Sequence, residues 1–295
     1  MANHIFTGTG VAVVTPFSPD GSVNYNKLRE LIEWQIAEGT DAIIACGTTG
    51  ESSTLTDDEH IKVISCAVEQ TSGRIPVIAG AGSNDTDYAV TLAKESKQAG
   101  ADGLLIVTPY YNKTSQRGLV RHFNIIADST DLPVILYNVP SRTGVDIKPH
   151  TYTELIKHPN IKATKEASGN IAAVAEILSL CGDRLDVYTG NDDCIVPTLS
   201  LGGKGCISVL ANILPRQTHD ICRLFFEGRI QESADLQIKL MNLIKLLFTD
   251  VNPIPVKEAL DLMGKQTGAC RMPLIEADQK LREDLKKEMK LQGII

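Results

Sequence analysis

The feature that most constrains this chain is a series of eight short apolar segments, rich in Val, Ile and Leu, set one after another through its first 210 residues. They are GVAVVTPF from Gly10, DAIIACG from Asp41, PVIAGAG from Pro76, DGLLIVTPY from Asp102, PVILYNVP from Pro133, IKATKEAS from Ile161, LDVYTGND from Leu185 and GCISVL from Gly205. Strands with one wet face alternate apolar and polar residues, whereas these are apolar nearly throughout, as strands of a parallel sheet covered by helices are. The intervals between them hold amphipathic stretches of helical length. In KLRELIEWQIAEG, Leu28, Leu31, Ile32 and Ile36 recur at helical spacing and Gly39 is placed as a C-cap. Eight βα units predict an α/β fold closed into a (β/α)8 TIM barrel. The competing architecture, an open doubly wound sheet binding a dinucleotide, lacks its signatures: GAGSND has no third glycine at GxGxxG spacing, and no GxxxxGK phosphate loop occurs.

After Glu227 the strand pattern stops. Three helical stretches remain, IQESADLQIKLMNLIKLLF, PVKEALDLMG and the charged ADQKLREDLKKEMKLQG. The expected organisation is a catalytic barrel over residues 1–228 and a C-terminal helical appendage over residues 229–295, packing over the barrel or building an oligomer interface.

Composition narrows the function classes. A net charge of −7 argues against a polyanionic partner, because nucleic-acid affinity rests on clustered Lys and Arg, so no nucleic acid is expected. The seven cysteines, Cys46, Cys66, Cys181, Cys194, Cys206, Cys222 and Cys270, show no CxxC spacing and mostly interrupt apolar segments, which fits buried reduced thiols. MANHIFTGTGVAVV has no basic n-region, and no apolar run reaches the ~18 residues of a membrane span, so no membrane partner and a cytoplasmic location are expected.

Active sites of this fold form where the strands end, which directs attention to the polar residues closing each segment. The second closes on Gly47-Thr48-Thr49-Gly50-Glu51, the fourth on Pro109-Tyr110-Tyr111-Asn112, the fifth on Tyr137 through Gly144, and the sixth carries Lys165 and Glu166. Lys165 alternates with Ala163 and Ala167, so the three share one strand face, and the small neighbours leave room for a long side chain in a barrel interior. A neutral lysine amine attacks a ketone and forms an imine. Taken alone, the same lysine reads equally as the partner of a carboxylate near a strand end. Its company adds weight: Tyr137 on the adjacent strand is a phenol able to relay protons when bonded to a hydroxyl such as Thr48. Gly47 and Gly50 bracket two threonines whose N–H groups and hydroxyls can hold a carboxylate, or simply make a turn. Arg142 follows a Pro-Ser turn, as a bidentate carboxylate clamp or as a solvated loop residue. The six histidines close no strand and show no HxxxH pairing, so no metal site is expected.

Together, GTTGE, VTPYYN, YNVPSRTG, IKATKEASG and TGNDD, with flanking GVAVVTPF and NPIPVKEAL, resemble the dihydrodipicolinate synthase and N-acetylneuraminate lyase superfamily across nearly the whole chain. The resemblance implies a Schiff base between Lys165 and pyruvate, with no other cofactor, and a proton relay of Thr48, Tyr137 and Tyr111, the last serving a neighbouring subunit. It further implies that Thr49 binds the pyruvate carboxylate, Arg142 the carboxylate of L-aspartate 4-semialdehyde, and that Gly190 and Ile207 line the pocket of a homotetramer. Sugar-acid lyases of the superfamily read GSTGE and lack the arginine of YNVPSRTG, so both positions favour the synthase branch. A non-catalytic keto-acid or amino-acid sensor is the other reading, against which Lys165 and Tyr137 both stand. Feedback-regulated members bind lysine at positions matching Ser52, His60, Asn84 and Tyr110. Here Asp57 replaces a histidine and Tyr88 a glutamate often found there, and the lost carboxylate predicts weak lysine sensitivity.

Overall fold

The computed structural model describes residues 4–295. Its centre is a closed barrel of eight parallel strands in chain order, β1 (Gly8–Ala12), β2 (Ala42–Ala45), β3 (Val77–Gly80), β4 (Gly103–Val107), β5 (Val134–Asn138), β6 (Ile161–Glu166), β7 (Asp186–Thr189) and β8 (Gly205–Ser208). All eight apolar segments are therefore strands, and the ring closes where Gly8 to Val11 of β1 pair with Gly205 to Ser208 of β8.

Around it lie α1 (Tyr25–Ala37), α2 (Asp57–Thr71), α3 (Thr86–Gln98), α4 (Gln116–Asp128), the single turn α5 (Pro140–Thr143), α6 (Pro149–Leu155), α7 (Ile171–Cys181), α8 (Ile195–Ser200) and α9 (Pro215–Phe226). Helix α1 ends as its pattern predicts, with Glu38 at the C-cap and Gly39 following at φ +90°, a left-handed value that glycine adopts without a Cβ penalty. Helix α2 begins on a capping box, Thr56 and Glu59 each accepting the other's backbone N–H.

Why the strands are apolar on both faces is visible in the packing. Ile43 and Ala45 of β2, with Val134 and Leu136 of β5, point outward into the cluster formed with the helices. Their alternates, Ala42, Ile44, Ile135 and Tyr137, point inward and meet Phe6, Ile78, Leu105, Ala163, Tyr188 and Ile207. Phe6 stacks on Tyr188 at 4.3 Å between ring centroids, and the Tyr188 hydroxyl donates to the Phe6 carbonyl at 2.6 Å. Because Phe6 precedes β1, this pair packs the barrel interior from the side opposite the strand C-termini.

The three helical stretches after Glu227 are α10 (Ile230–Leu246), α11 (Ile254–Leu262) and α12 (Gln279–Leu291). Leu243, Leu247, Val256, Leu260, Leu285 and Met289 join Val14, Leu31, Ile195, Leu199 and Leu210 in one buried cluster, so these helices share a core with the barrel wall.

Candidate active site at the barrel mouth

Register brings three side chains of neighbouring strands together. Tyr137 of β5 and Tyr188 of β7 both pair with Lys165 of β6. Lys165 is 6% exposed, and its amine stands 4.4 Å from the centroid of the Tyr137 ring, within cation–π range. The two tyrosines differ in what their hydroxyls do: that of Tyr188 is bonded to Phe6, away from the mouth. Among the described residues Lys165 forms no ion pair. Glu166, the nearest carboxylate in sequence, projects from the opposite strand face and accepts from Asn138 Nδ2 at 2.8 Å and from Ser168 N–H at 2.7 Å. Burial raises its pKa, against those hydrogen bonds. The strand-end ion pair is thus not what holds Lys165.

Gly190, just beyond β7, explains how the lysine stem fits. A Cβ there would stand 2.7 Å from Lys165 Cε and 2.7 Å from Ala167 Cβ, so only glycine leaves the stem its course. Ile207 of β8 is fully buried in the interior cluster. Asp192 was not singled out as a site residue from the sequence. It is buried, its Oδ2 accepts from the N–H groups of Val209 and Leu210 at 3.1 and 2.8 Å, and its Oδ1 has no partner among the described residues. Burial raises its pKa, opposed by hydrogen bonds from Ser208 and from the Leu210 and Val209 N–H groups and, least, by Lys165.

The threonine loop follows β2. Cys46 at φ 55° and Glu51 at φ 54° bend the chain sharply at both of its ends. Thr48 is half-buried and Thr49 buried, the latter accepting at its Oγ1 from Asn252 Nδ2 at 2.9 Å. Glu51 Oε1 accepts from Lys257 Nζ at 2.9 Å and Oε2 from the Arg271 N–H at 2.9 Å, with the Glu51 and Lys257 side chains 2% and 3% exposed. Lys257 also donates to the carbonyls of Thr15 and Ala269. A buried ion pair holds only when its remaining donors and acceptors are satisfied, and here they are. Asn252, Lys257 and Arg271 come from the C-terminal region. Besides packing on the barrel wall, this region therefore sends side chains that grip the loop at the mouth. No local pattern signals this, since the partners lie some 200 residues apart: 203 for Asn252 with Thr49 and 206 for Lys257 with Glu51.

Arg142, exposed on α5, donates from its guanidinium to the Asn252 carbonyl at 3.1 Å and shares with Thr48 and Asn252 the lining of a cavity of about 130 Å³. Among the described residues no hydrogen bond joins the Tyr137 hydroxyl to Thr48, so the relay expected between them is not closed within this chain. Tyr111 is 91% exposed and has φ 67°, a side chain directed into solvent. Of the four positions matched to lysine control, Ser52 and Asn84 are half-buried and Tyr110 is exposed. His60 is buried with its Nε2 2.7 Å from the Gly80 carbonyl, and burial lowers its pKa. The two departures from the regulated pattern meet: the Tyr88 hydroxyl donates to Asp57 Oδ1 at 2.5 Å. Partial burial, with that carboxylate beside it, pushes the Tyr88 pKa up to about 12. Among the described residues no helix is long and apolar enough to cross a membrane, and the cysteines are free thiols, five of them buried.

The profile of the Dihydrodipicolinate synthetase family matches residues 5–292. A 4-hydroxy-tetrahydrodipicolinate synthase of Lachnoclostridium phytofermentans is 58% identical over 292 residues, covering 99% of each chain. One of Acetivibrio thermocellus is 55% identical over 295 residues, covering 100% of each. The crystal structure of dihydrodipicolinate synthase from Thermotoga maritima superposes with a TM-score of 0.97 at 40% identity, covering 99% of this chain and 100% of that one. A match of this extent in sequence and in fold places the chain in the dihydrodipicolinate synthase family.

Proposed function

We propose that this chain condenses pyruvate with L-aspartate 4-semialdehyde to 4-hydroxy-tetrahydrodipicolinate, on the route to diaminopimelate and lysine, through an imine on Lys165 and without an external cofactor. The observation that carries the reading is the position of Lys165: buried at the open end of the barrel, beside Tyr137, with Gly190 clearing its stem. The amine adds to the ketone carbon of pyruvate, and the carbinolamine loses its hydroxyl as water to give the imine. Loss of a methyl proton converts this to an enamine, whose carbon adds to the aldehyde. The amino group of the second substrate then closes the ring on the imine carbon and frees Lys165.

Each step moves a proton, and Tyr137 is the group beside the amine with an ionisable hydroxyl for the purpose. Thr49 and Arg142 are the carboxylate-binding groups in this reading, at the two sides of Asn252. Tyr111, displayed at the barrel mouth, is assigned to the site of a neighbouring copy, in a homotetramer of the cytoplasm built from dimers. The names of the curated relatives and the arginine of YNVPSRTG favour this reaction over cleavage of a sugar acid.

The test is borohydride reduction in the presence of pyruvate, followed by peptide mass spectrometry. An irreversible adduct on Lys165 is expected. An adduct on Lys162 or Lys204 instead, or none, overturns the reading.

A further inference from the structure

We infer that Asn252 is a positioning residue that sets the hydrogen-bond polarity of Thr49, holding its hydroxyl as a donor toward a bound carboxylate. The inference rests on the reading of Thr49 as the pyruvate-carboxylate group and names the residue that makes it so. A threonine hydroxyl has one proton and two lone pairs, and can face a ligand either way round. Here Asn252 Nδ2 donates to Thr49 Oγ1 at 2.9 Å and so occupies a lone pair. Thr49 is 2% exposed, and its hydroxyl donates to no other group among the described residues. Its proton is left without an acceptor among the described residues, and we assign that proton to a ligand at the mouth. A carboxylate accepts only, so it is the ligand that this arrangement selects, and the N–H at the back of the hydroxyl polarises the bond it makes.

Two further observations separate this from ordinary packing. The Asn252 Oδ1 is buried and has no partner among the described residues, while the NH2 end of the amide is directed at Thr49. The backbone carbonyl of the same residue accepts from Arg142 at 3.1 Å. One residue thereby spaces the two groups assigned to the carboxylates of the two substrates.

The experiment measures both Michaelis constants in the full-length enzyme for Asn252→Asp, Asn252→Ala, Thr49→Val and the double variant Asn252→Ala/Thr49→Val. An ionised carboxylate at 252 accepts the hydroxyl proton and turns lone pairs to the ligand, so Asn252→Asp is expected to raise the pyruvate KM by about 10- to 100-fold, with a smaller change in kcat. That defect should shrink as pH falls and the introduced carboxyl regains a proton to donate, which a purely structural lesion would not do. Asn252→Ala should raise the pyruvate KM several-fold in the native background and have no further effect on top of Thr49→Val, because it acts through that hydroxyl. If Asn252→Asp does not fold, this cycle carries the test alone.

Equal increases in both Michaelis constants, additive with Thr49→Val and independent of pH, overturn the inference. Wild-type pyruvate affinity in Asn252→Asp overturns it too, and would mean that Thr49 donates to the amide. Borohydride trapping on the unmutated enzyme separates the two levels: an imine with no polarity effect removes only this inference, and no imine removes both.

Discussion

Gly190→Ala adds one carbon at the place where the lysine stem passes. The new Cβ would lie 2.7 Å from Lys165 Cε, 3.2 Å from Lys165 Cγ and 2.7 Å from Ala167 Cβ, whereas ordinary contact begins at 3.4 Å. The stem must therefore yield by about 0.7 Å or more, and contact with Ala167 on the same face limits relief by moving the glycine backbone. Overpacking of this kind costs about 1–3 kcal/mol, so the variant should fold with a melting temperature lower by only a few degrees. The amine suffers more than the fold. Its attack on a ketone requires a defined approach, and a misplacement of about 1 Å can slow a reaction about 100-fold. Single-turnover trapping of the pyruvate adduct with borohydride, timed from milliseconds to minutes, should show imine formation slower by about two orders of magnitude, alongside a thermal melt that confirms folding. Imine formation at the wild-type rate in a folded Gly190→Ala enzyme would refute the claim that this glycine exists to clear the lysine.

Three other outcomes are expected. Arg142→Ala should lower kcat/KM for the aldehyde by about 10- to 100-fold, the equivalent of a charge-assisted pair of about 1.5–3 kcal/mol, while pyruvate trapping largely survives; steady-state kinetics with each substrate varied in turn reads this. Lys257→Met leaves Glu51 buried without its counter-charge and should cost about 3–5 kcal/mol in urea unfolding, and adding Glu51→Gln should recover part of that loss. Free lysine should inhibit weakly or not at all, because Tyr88 stands where a glutamate is often found and its hydroxyl already engages Asp57 Oδ1; strong inhibition in a lysine titration of the condensation rate contradicts this.

The parts of this protein legible in its sequence are those that depend on local period. Eight apolar segments separated by amphipathic stretches are a pattern of burial on two faces, and the eight strands of the barrel lie within or overlap them. The alternation Ala163, Lys165, Ala167 likewise placed the lysine on the inner face, because side chains of a strand alternate whatever the strand packs against. Tyr137 too was placed on the strand beside it by the order of the segments. Only the tertiary structure decided the rest: that Tyr188 flanks Lys165 on the other side follows from strand register, and that its hydroxyl is spent on Phe6 follows from how the barrel end is filled. Asn252 on Thr49 and Lys257 on Glu51 were invisible beforehand, because contacts 203 and 206 residues apart leave no periodic trace in either segment. The pattern of a segment records how much of it is buried; which distant residue buries it is settled when the barrel closes and the C-terminal helices dock on its wall.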